Sequence, residues 1–273
     1  MGIFAWLKGR KKEAPIPEYV PTPMGFQTGS LQGIGNRESQ EDAFFLLNDR
    51  DVLKAQEEGL FAVVADGMGG MADGRAASSA VVSSLAESFS TMDWEEDPAV
   101  QLEEAIRLAG DRVCRLLGGQ GGSTAVACMI YQERLWFAGV GDSGLYLLRD
   151  GQLNRLNRIH NMCHQIYLRE LRAGNTDPSS GRNHVETGAL TSFLGMDGME
   201  EVDLLQRPLL LEAGDVLLLC SDGVSGTLSE EILTAFLEQE TPKFISMAME
   251  QEILKCALPH QDNYTAVVIR CVK

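Results

Sequence analysis

The sequence has no apolar run long enough to cross a membrane, and its N-terminus lacks the apolar core of a secretory signal peptide. Its six cysteines form no CxxC pair, and several lie inside apolar runs, where a thiol packs as a small hydrophobic group. Positive charge is scarce, since 23 Lys and Arg against 39 Asp and Glu give a formal net charge of -16. These absences argue against a membrane-spanning protein, a disulfide scaffold and a nucleic-acid partner, and favour a protein of the reducing cytoplasm.

The first 23 residues differ in composition from everything that follows. Four apolar residues are followed by four cations within residues 1–12, and a proline-rich segment then runs to Pro23. We interpret residues 1–23 as a tail on an extended linker, and residues 24–273 as one domain that is monomeric. Residues 1–12 either make a weak contact with an anionic membrane surface or a partner, or are simply solvated.

One stretch in the first half of the chain places a carboxylate beside a glycine-rich turn. Leu60 to Ala65 is a continuous apolar run with two valines, typical of a strand that is covered on both faces. Asp66 stands at the end of this run, and Gly67, Gly69 and Gly70 follow it. Glycine lets a ligand approach the backbone closely, and a peptide carbonyl in such a turn is itself an oxygen ligand for a hard cation.

The same arrangement of an acid at a strand end recurs three times. Asp142 follows an apolar run that begins at Leu135, Asp222 follows a run that begins at Val216, and Asp262 precedes a run that begins at Tyr264. A single acid of this kind is usually only a turn residue. If four such acids converge, however, each pair about 4 Å apart repels by about 1 to 4 kcal/mol, and a divalent cation would remove that repulsion.

The remaining pattern predicts an α+β chain of antiparallel strands with helices before and after them. A strong turn signal at Asp150-Gly151 predicts a hairpin, residues 49–58 form a polar insertion, and residues 157–191 form a long irregular segment. The expected elements are strands at 25–34, 43–48, 123–131, 134–141, 145–149, 152–156, 202–211, 215–221 and 264–269, and helices across 77–89, 102–116, from Ser229 and across 241–258. The pair 202–211 and 215–221 is expected to be hydrogen-bonded.

Three of the four histidines lie in the irregular segment. His160, Cys163 and His164 are close in sequence, with His184 further on. This spacing is compatible with a zinc site, but structural zinc requires four convergent ligands, so satisfied or solvated histidines are the simpler interpretation.

Taken in order, the acidic motifs resemble those of the metal-dependent protein serine/threonine phosphatases, the PPM family, and are most similar to bacterial members. The resemblance runs from about Gly25 to Val272. It is carried by Arg37 with Glu41-Asp42, Asp66-Gly67-Met68-Gly69-Gly70, Gly122-Ser123-Thr124, Gly141-Asp142-Ser143, Ser221-Asp222-Gly223 and Asp262-Asn263. It implies a four-layer α/β/β/α sandwich, in which two antiparallel sheets are flanked by helices and residues 157–191 form a flap beside the active site.

The resemblance also implies a reaction, a metal site and partners. Phosphoserine and phosphothreonine are hydrolysed by direct attack of a hydroxide that bridges two Mn or Mg ions. For the two core ions, the resemblance implies that Asp66 bridges both, that the Gly67 carbonyl binds one, and that Asp222 and Asp262 bind the other. It implies that Glu41 and Asp42 hold metal-bound water and that Asp142 binds a third ion together with Asp222. Arg37 is implied to be the phosphate clamp. Phosphorylated proteins, including a Ser/Thr kinase, are the expected partners.

The sequence departs from the family pattern at three positions and leaves two alternatives open. Met68 stands where many members have a histidine that could act as general acid, Gln40 replaces a common Asn, and Arg75 stands where Glu is frequent. For the last two we expect only indirect effects on the site. A non-catalytic phosphoprotein-binding relative would lack Asp66, Asp222 or Asp262, all of which are present, whereas a two-metal hydrolase of small phosphoesters is not excluded.

Overall fold

The computed structural model of the chain describes residues 24–69, 71–177, 188–199, 201–239 and 241–273. The predicted tail at residues 1–23, Gly70 and His184 lie outside the described residues. The strands are β1 Gly25–Gly33, β2 Asp42–Leu47, β3 Leu60–Met68, β4 Gly122–Ser123, β5 Ala125–Tyr131, β6 Arg134–Val140, β7 Gly144–Arg149, β8 Gln152–Arg155, β9 Asp203–Leu204, β10 Leu209–Leu210, β11 Val216–Cys220 and β12 Tyr264–Val272. The helices are α1 Val52–Glu57, α2 Met71–Ser90, α3 Pro98–Leu117, α4 Met162–Arg172, α5 Asp222–Ser225, α6 Glu230–Leu237 and α7 Pro242–Cys256.

These strands form two sheets in which every pairing is antiparallel. One sheet has the strand order β1-β12-β11-β7-β8, and the other has the order β10-β6-β5-β3-β2, with β4 paired to β3 and β9 paired to β6. β12 is long enough to pair with β1 along its full length and with β11 on its other side. The edge strands β1 and β2 are consecutive in the chain, so a short connection joins the two sheets at these edges.

Three apolar layers hold the molecule together. Between the sheets, Val64 of β3 packs in the same cluster as Leu217 of β11 and Ile269 of β12. Its neighbour Val63 points the other way, into a second cluster with residues of α2 and α3, and a third cluster packs α6 and α7 against the first sheet. Alternating side chains of one buried strand therefore pack into two different cores. The predicted α/β/β/α sandwich is confirmed.

The structure differs from the sequence-based prediction in three connecting segments. The polar insertion at 49–58 contains α1, because the side chain of Asp51 accepts hydrogen bonds from the first backbone N–H groups of this helix. The segment 157–191 contains the 11-residue helix α4, which Asn161 caps. The prediction that residues 202–211 pair with the strand at 215–221 is wrong: this segment forms only β9 and β10, and both bond to β6. Pro208 lies between them and has no N–H to continue a ladder.

Within the described ranges, no helix has the length and apolarity needed to span a membrane. All six cysteines are free thiols.

Candidate metal and phosphate site

Two predicted site residues face each other across neighbouring strands. Asp42 opens β2 and is paired with Asp66 near the end of β3. The side chain of Asp42 is buried; its Oδ2 accepts a hydrogen bond from Ser221 Oγ at 2.8 Å, whereas its Oδ1 has no hydrogen-bond partner among the described residues. Burial raises the pKa of Asp42 to about 6, although the hydrogen bond from Ser221 acts in the opposite direction. A buried acceptor of this kind is suited to a cation or to the water around one.

The backbone of Asp66 is fixed by the loop that precedes β5. β3 continues two residues beyond Asp66, so this acid lies within the strand rather than after it, because Gly67 and Met68 pair with β4. The Asp66 N–H donates to Thr124 Oγ1 at 3.1 Å, and the Asp66 carbonyl accepts from Ser123 Oγ at 2.9 Å. Burial, and then the charge of Asp42, raise the pKa of Asp66 well above its ordinary value.

Gly67 and Gly74 pack directly against the Glu41 backbone and side chain. The Gly67 N–H donates to the Glu41 carbonyl at 3.2 Å. A Cβ on Gly67 would lie 1.9 Å from the Gly74 carbonyl oxygen, and one on Gly74 would lie 2.4 Å from Glu41 Oε2. Neither position has room for a side chain. Sequence reasoning identified Gly67 and Glu41 but missed Gly74, whose role depends on where α2 begins relative to β2.

The other sheet contributes Asp222 and Asp262. Asp222 is the first residue of α5 and follows the N-cap Ser221, while Asp262 directly precedes β12. Arg37 Nη2 donates to Asp262 Oδ2 at 2.5 Å, and the Asn263 N–H donates to Asp262 Oδ1 at 2.8 Å, so both carboxylate oxygens have donors. Burial, and then the charge of Asp262, raise the pKa of Asp222.

Asn263 links the loop of Arg37 to the acids, a role that the sequence did not reveal. Its Oδ1 accepts from the Glu41 N–H at 2.7 Å, and its Nδ2 donates to the carbonyls of Ile34 at 2.8 Å and Ser39 at 3.1 Å. One buried amide therefore sets the path of the chain between β1 and β2. Its position directly after Asp262 was the available signal.

Asp142 closes the site from the end of β6. Burial, and then the charge of Asp222, raise the pKa of Asp142 to about 6. Arg155 on β8 holds its backbone, because Arg155 Nη2 donates to the carbonyls of Asp142 at 2.7 Å and Ser143 at 3.0 Å. On the other side, His160 Nδ1 accepts from the Gly141 N–H at 3.3 Å. Burial lowers the pKa of His160, which favours the neutral ring that this hydrogen bond requires.

These residues surround one cavity of about 710 Å³ at the end of the sandwich. Of the eight site residues that the sequence predicted, seven line it, and Asp42 lies behind it: the lining residues are Arg37, Glu41, Asp66, Gly67, Asp142, Asp222 and Asp262. In the part of the chain that the structure describes, no three His, Cys, Asp or Glu side chains are arranged to hold one ion. The cavity is instead lined by several acids and one arginine, which pairs with Asp262.

The three departures from the family pattern also lie here. Met68 lines the cavity. Gln40 Oε1 accepts from the Asp42 N–H at 2.9 Å and its Nε2 donates to the Gly33 carbonyl at 2.9 Å, while Arg75 Nε donates to the Gln40 carbonyl at 2.9 Å. Gln40 and Arg75 therefore contact each other and help to position the Glu41-Asp42 pair.

Comparison with known proteins gives the family. The family model described as Protein phosphatase 2C matches residues 34–260, a shorter range than the resemblance suggested and one that ends just before Asp262. The serine/threonine phosphatase Stp of Listeria monocytogenes is 30% identical over 218 residues, which cover 76% of this chain and 82% of Stp.

Solved structures agree with this comparison. PppA, described as a key regulatory component of T6SS in Pseudomonas aeruginosa, is 28% identical with a TM-score of 0.71 over 90% of this chain and 98% of PppA. The catalytic domain of the serine/threonine phosphatase PstP, solved with two manganese ions, is 25% identical with a TM-score of 0.72 over 92% of this chain and 100% of that domain. The chain belongs to the protein phosphatase 2C family, which is the PPM family of metal-dependent phosphatases, and its enzyme class is that of the protein serine/threonine phosphatases.

Proposed function

We propose that the acids around the cavity hold two divalent cations and that the chain uses this site to hydrolyse phosphoserine and phosphothreonine in proteins. The observation that carries the proposal is the convergence of Asp66, Asp142, Asp222 and Asp262 from two sheets. The negative charges of the other acids add to the effect of burial on the pKa of Asp66. Such mutual repulsion disfavours the charged form of each acid, and bound cations would offset it.

The donor chemistry fits Mn²⁺ or Mg²⁺. The side-chain ligands are carboxylates, Gly67 lines the same cavity, and Asp42 Oδ1 is a buried oxygen with no hydrogen-bond partner among the described residues. The related PstP domain was solved with two manganese ions. We assign Asp66, Gly67, Asp222 and Asp262 to the two core ions, Glu41 and Asp42 to the water around them, and Asp142 with Asp222 to a third ion. Such ions neutralise phosphate charge and supply hydroxide at neutral pH.

Arg37 is placed to bind the phosphate. Its side chain lies on the cavity wall and is 58% exposed, so a phosphate can reach it from solvent. The planar guanidinium fork suits bidentate binding of phosphate oxygens. We infer that Arg37 exchanges the Asp262 carboxylate for substrate phosphate, which would leave Asp262 free to bind metal.

No side chain on the described cavity wall is an obvious donor for the leaving serine or threonine oxygen. Met68 carries no ionisable group, and among the lining residues the groups with raised pKa are Asp66, Asp142 and Asp222. We assign to Asp142 the task of orienting the water that protonates the leaving group.

We also propose the partners, the oligomeric state and the compartment of the enzyme. We expect phosphorylated proteins, including a Ser/Thr kinase, as partners, a monomer as the working form, and the cytoplasm as the compartment, to which the free cysteines are suited. Residues 24–273 would be the catalytic domain with its flap at 157–191, and residues 1–12 would make at most a weak contact with a membrane or partner.

A panel of phosphopeptides tests the function most simply. We expect turnover of phosphothreonine and phosphoserine peptides with Mn²⁺ and loss of turnover in EDTA. Hydrolysis of small phosphoesters alone would instead indicate a small-molecule hydrolase, and binding without turnover would indicate a phosphoprotein-binding relative.

A further inference from the structure

A second groove runs along helix α4, next to the catalytic cavity. It has a volume of about 380 Å³ and is lined by Met162, Gln165, Ile166, Leu168, Arg169, Arg172 and Glu201. Met162 connects it to the catalytic cavity, because its N–H donates at 2.9 Å to the carbonyl of Ala189, which lines that cavity. A peptide that extends out of the catalytic cavity on this side therefore contacts α4.

The arginines of this region differ in what they bind. Arg155 and Arg158 are engaged within the fold, Arg155 with the carbonyls of Asp142 and Ser143 and Arg158 with Asp203 at 2.9 Å. Arg169 is 70% exposed and approaches Glu170 only at 4.0 Å. Within the described part of the chain, Arg172 pairs with no carboxylate. The groove thus ends in two exposed guanidinium groups, in a chain whose net charge is -16.

We propose that this groove binds the part of a phosphoprotein substrate next to its phosphorylated residue, and that Arg169 and Arg172 select substrates with acidic residues there. The inference rests on the proposed phosphatase function and specifies its substrates. Complementary charge is the argument for an acidic occupant: elsewhere the acidic surface repels such a segment, whereas these two cations attract it. Glu201, which also lines the groove, weakens that attraction.

The geometry of α4 sets the position of the acidic residues. Arg169 and Arg172 lie about 10 and 15 Å along the helix from Met162, at about 1.5 Å per residue. An extended peptide advances by about 3.3 Å per residue, so the two arginines lie about three and five residues beyond the peptide residue at Met162. With that residue at or next to the phosphoresidue, acidic residues about three to six positions from the phosphoresidue reach the arginines.

Both arginines lie in the last turn of α4, where cations also stabilise a helix through its dipole. That purely structural role would change the stability of the protein, but it would not change the preference among substrates. The ratio of kcat/KM between an acidic and a neutral peptide is therefore the decisive quantity.

The test compares two phosphothreonine peptides of equal length, one with Asp on both sides at three to six positions from the phosphoresidue and one with Ala there. For the Arg169→Gln/Arg172→Gln double variant we expect the acidic-to-neutral ratio of kcat/KM to fall about three- to tenfold, as for partly exposed ion pairs. Glu201→Gln should raise the ratio, 0.5 M NaCl should lower it in the wild type, and Arg115→Gln on α3 is the matched control.

Each outcome has one meaning. If the ratio is the same in wild type and double variant while the neutral peptide and an aryl phosphate are hydrolysed normally, the groove proposal is wrong and the phosphatase function stands. If no phosphopeptide is hydrolysed with Mn²⁺ by the wild type, the proposed function itself fails. A double variant whose melting temperature falls while the ratio is unchanged would assign the arginines to helix stability alone.

Discussion

At the scale of single residues, the pairing of Asp42 with Asp66 determines the electrostatics of the site. Like charges directly opposite on neighbouring strands destabilise a sheet, and here Asp42 is buried while Asp66 is half-buried. Burial raises the pKa of both carboxyls, Asp42 to about 6. The fold therefore carries an unfavourable interaction at the place where cations are proposed to bind.

Asp42→Asn should change how stability depends on pH in divalent-free buffer. Because the folded pKa of Asp42 is about 6 against an ordinary 3.8, its contribution to stability is complete below about pH 4 and is lost as pH rises through 6. We expect the wild type to lose up to about 3 kcal/mol of unfolding free energy relative to Asp42→Asn between pH 4 and pH 7.

Urea unfolding of both proteins in EDTA measures this difference. The lowered pKa of His160 has the opposite effect, with stability lost as pH falls, but it is common to both proteins and cancels in the comparison. Parallel pH profiles for the two proteins would show that Asp42 does not titrate in this range.

Arg37→Ala should act mainly on substrate binding. A clamp that holds phosphate in both the ground state and the transition state gives uniform binding, so we expect a raised KM and a smaller loss of kcat. Its ion pair with Asp262 is partly exposed, so the melting temperature should change little. Steady-state kinetics on a phosphothreonine peptide measures both constants. Arg37→Lys is the control, because lysine keeps the positive charge but lacks the planar guanidinium group. A collapse of kcat at unchanged KM would mean that Arg37 aligns the chemistry instead.

At the scale of elements, the site depends on the close approach of α2 to the strand ends. Gly74 in the first turns of α2 touches both Glu41 and the Gly67 carbonyl, and this contact sets where the Glu41 carboxylate lies. A helix could not approach these strands so closely with a side chain at this position.

Gly74→Ala should therefore separate stability from activity. Alanine favours helix by about 1 kcal/mol over glycine, but its Cβ would lie 2.4 Å from Glu41 Oε2 and displace that side chain. We expect phosphopeptide turnover to fall by at least about tenfold while circular dichroism shows a folded protein. Gly110→Ala in α3 is the control, because the two nearest atoms to its Cβ would be the flexible ends of Leu194, at 3.3 Å, and Met199, at 3.6 Å. Equal activities of the two variants would contradict the role of Gly74.

The sequence predicted the elements whose signal is local. β7 and β8 followed from the Asp150-Gly151 turn, and β3 followed from its unbroken apolar run. The pairing of β9 and β10 with β6 could not be predicted, because two-residue strands have no periodicity and their partner is set by tertiary packing. The roles of Asn263 and Gly74 depend on contacts with residues distant in sequence, so no local pattern revealed them.

At the scale of the whole molecule, the site lies where the ends of both sheets meet. Asp42, Asp66 and Asp142 belong to strands or strand ends of one sheet, whereas Asp222 and Asp262 adjoin strands of the other. The acids therefore converge only when the two sheets pack on each other. Any ligand that binds them favours the folded chain as a whole.

Removal of residues 1–23 tests whether residues 24–273 are sufficient as the catalytic domain. Met24 is buried in the cluster between the sheets, so the shortened chain should begin at that residue. We expect unchanged kcat and KM on a phosphopeptide and an unchanged melting temperature. A shortened chain that fails to fold would show that residues 1–23 contribute to the core.

The most direct measurement is manganese binding alongside phosphothreonine hydrolysis for the wild type, Asp222→Asn and the control Asp150→Asn, whose side chain belongs to the distant β7–β8 turn. Titration calorimetry on the metal-stripped proteins gives the stoichiometry. For the wild type and Asp150→Asn we expect at least two bound Mn²⁺ ions per chain and full turnover. For Asp222→Asn we expect fewer bound ions and the loss of most activity, although the protein stays folded. Full turnover of the wild type in excess chelator, or full metal binding and activity in Asp222→Asn, would contradict the proposed metal site.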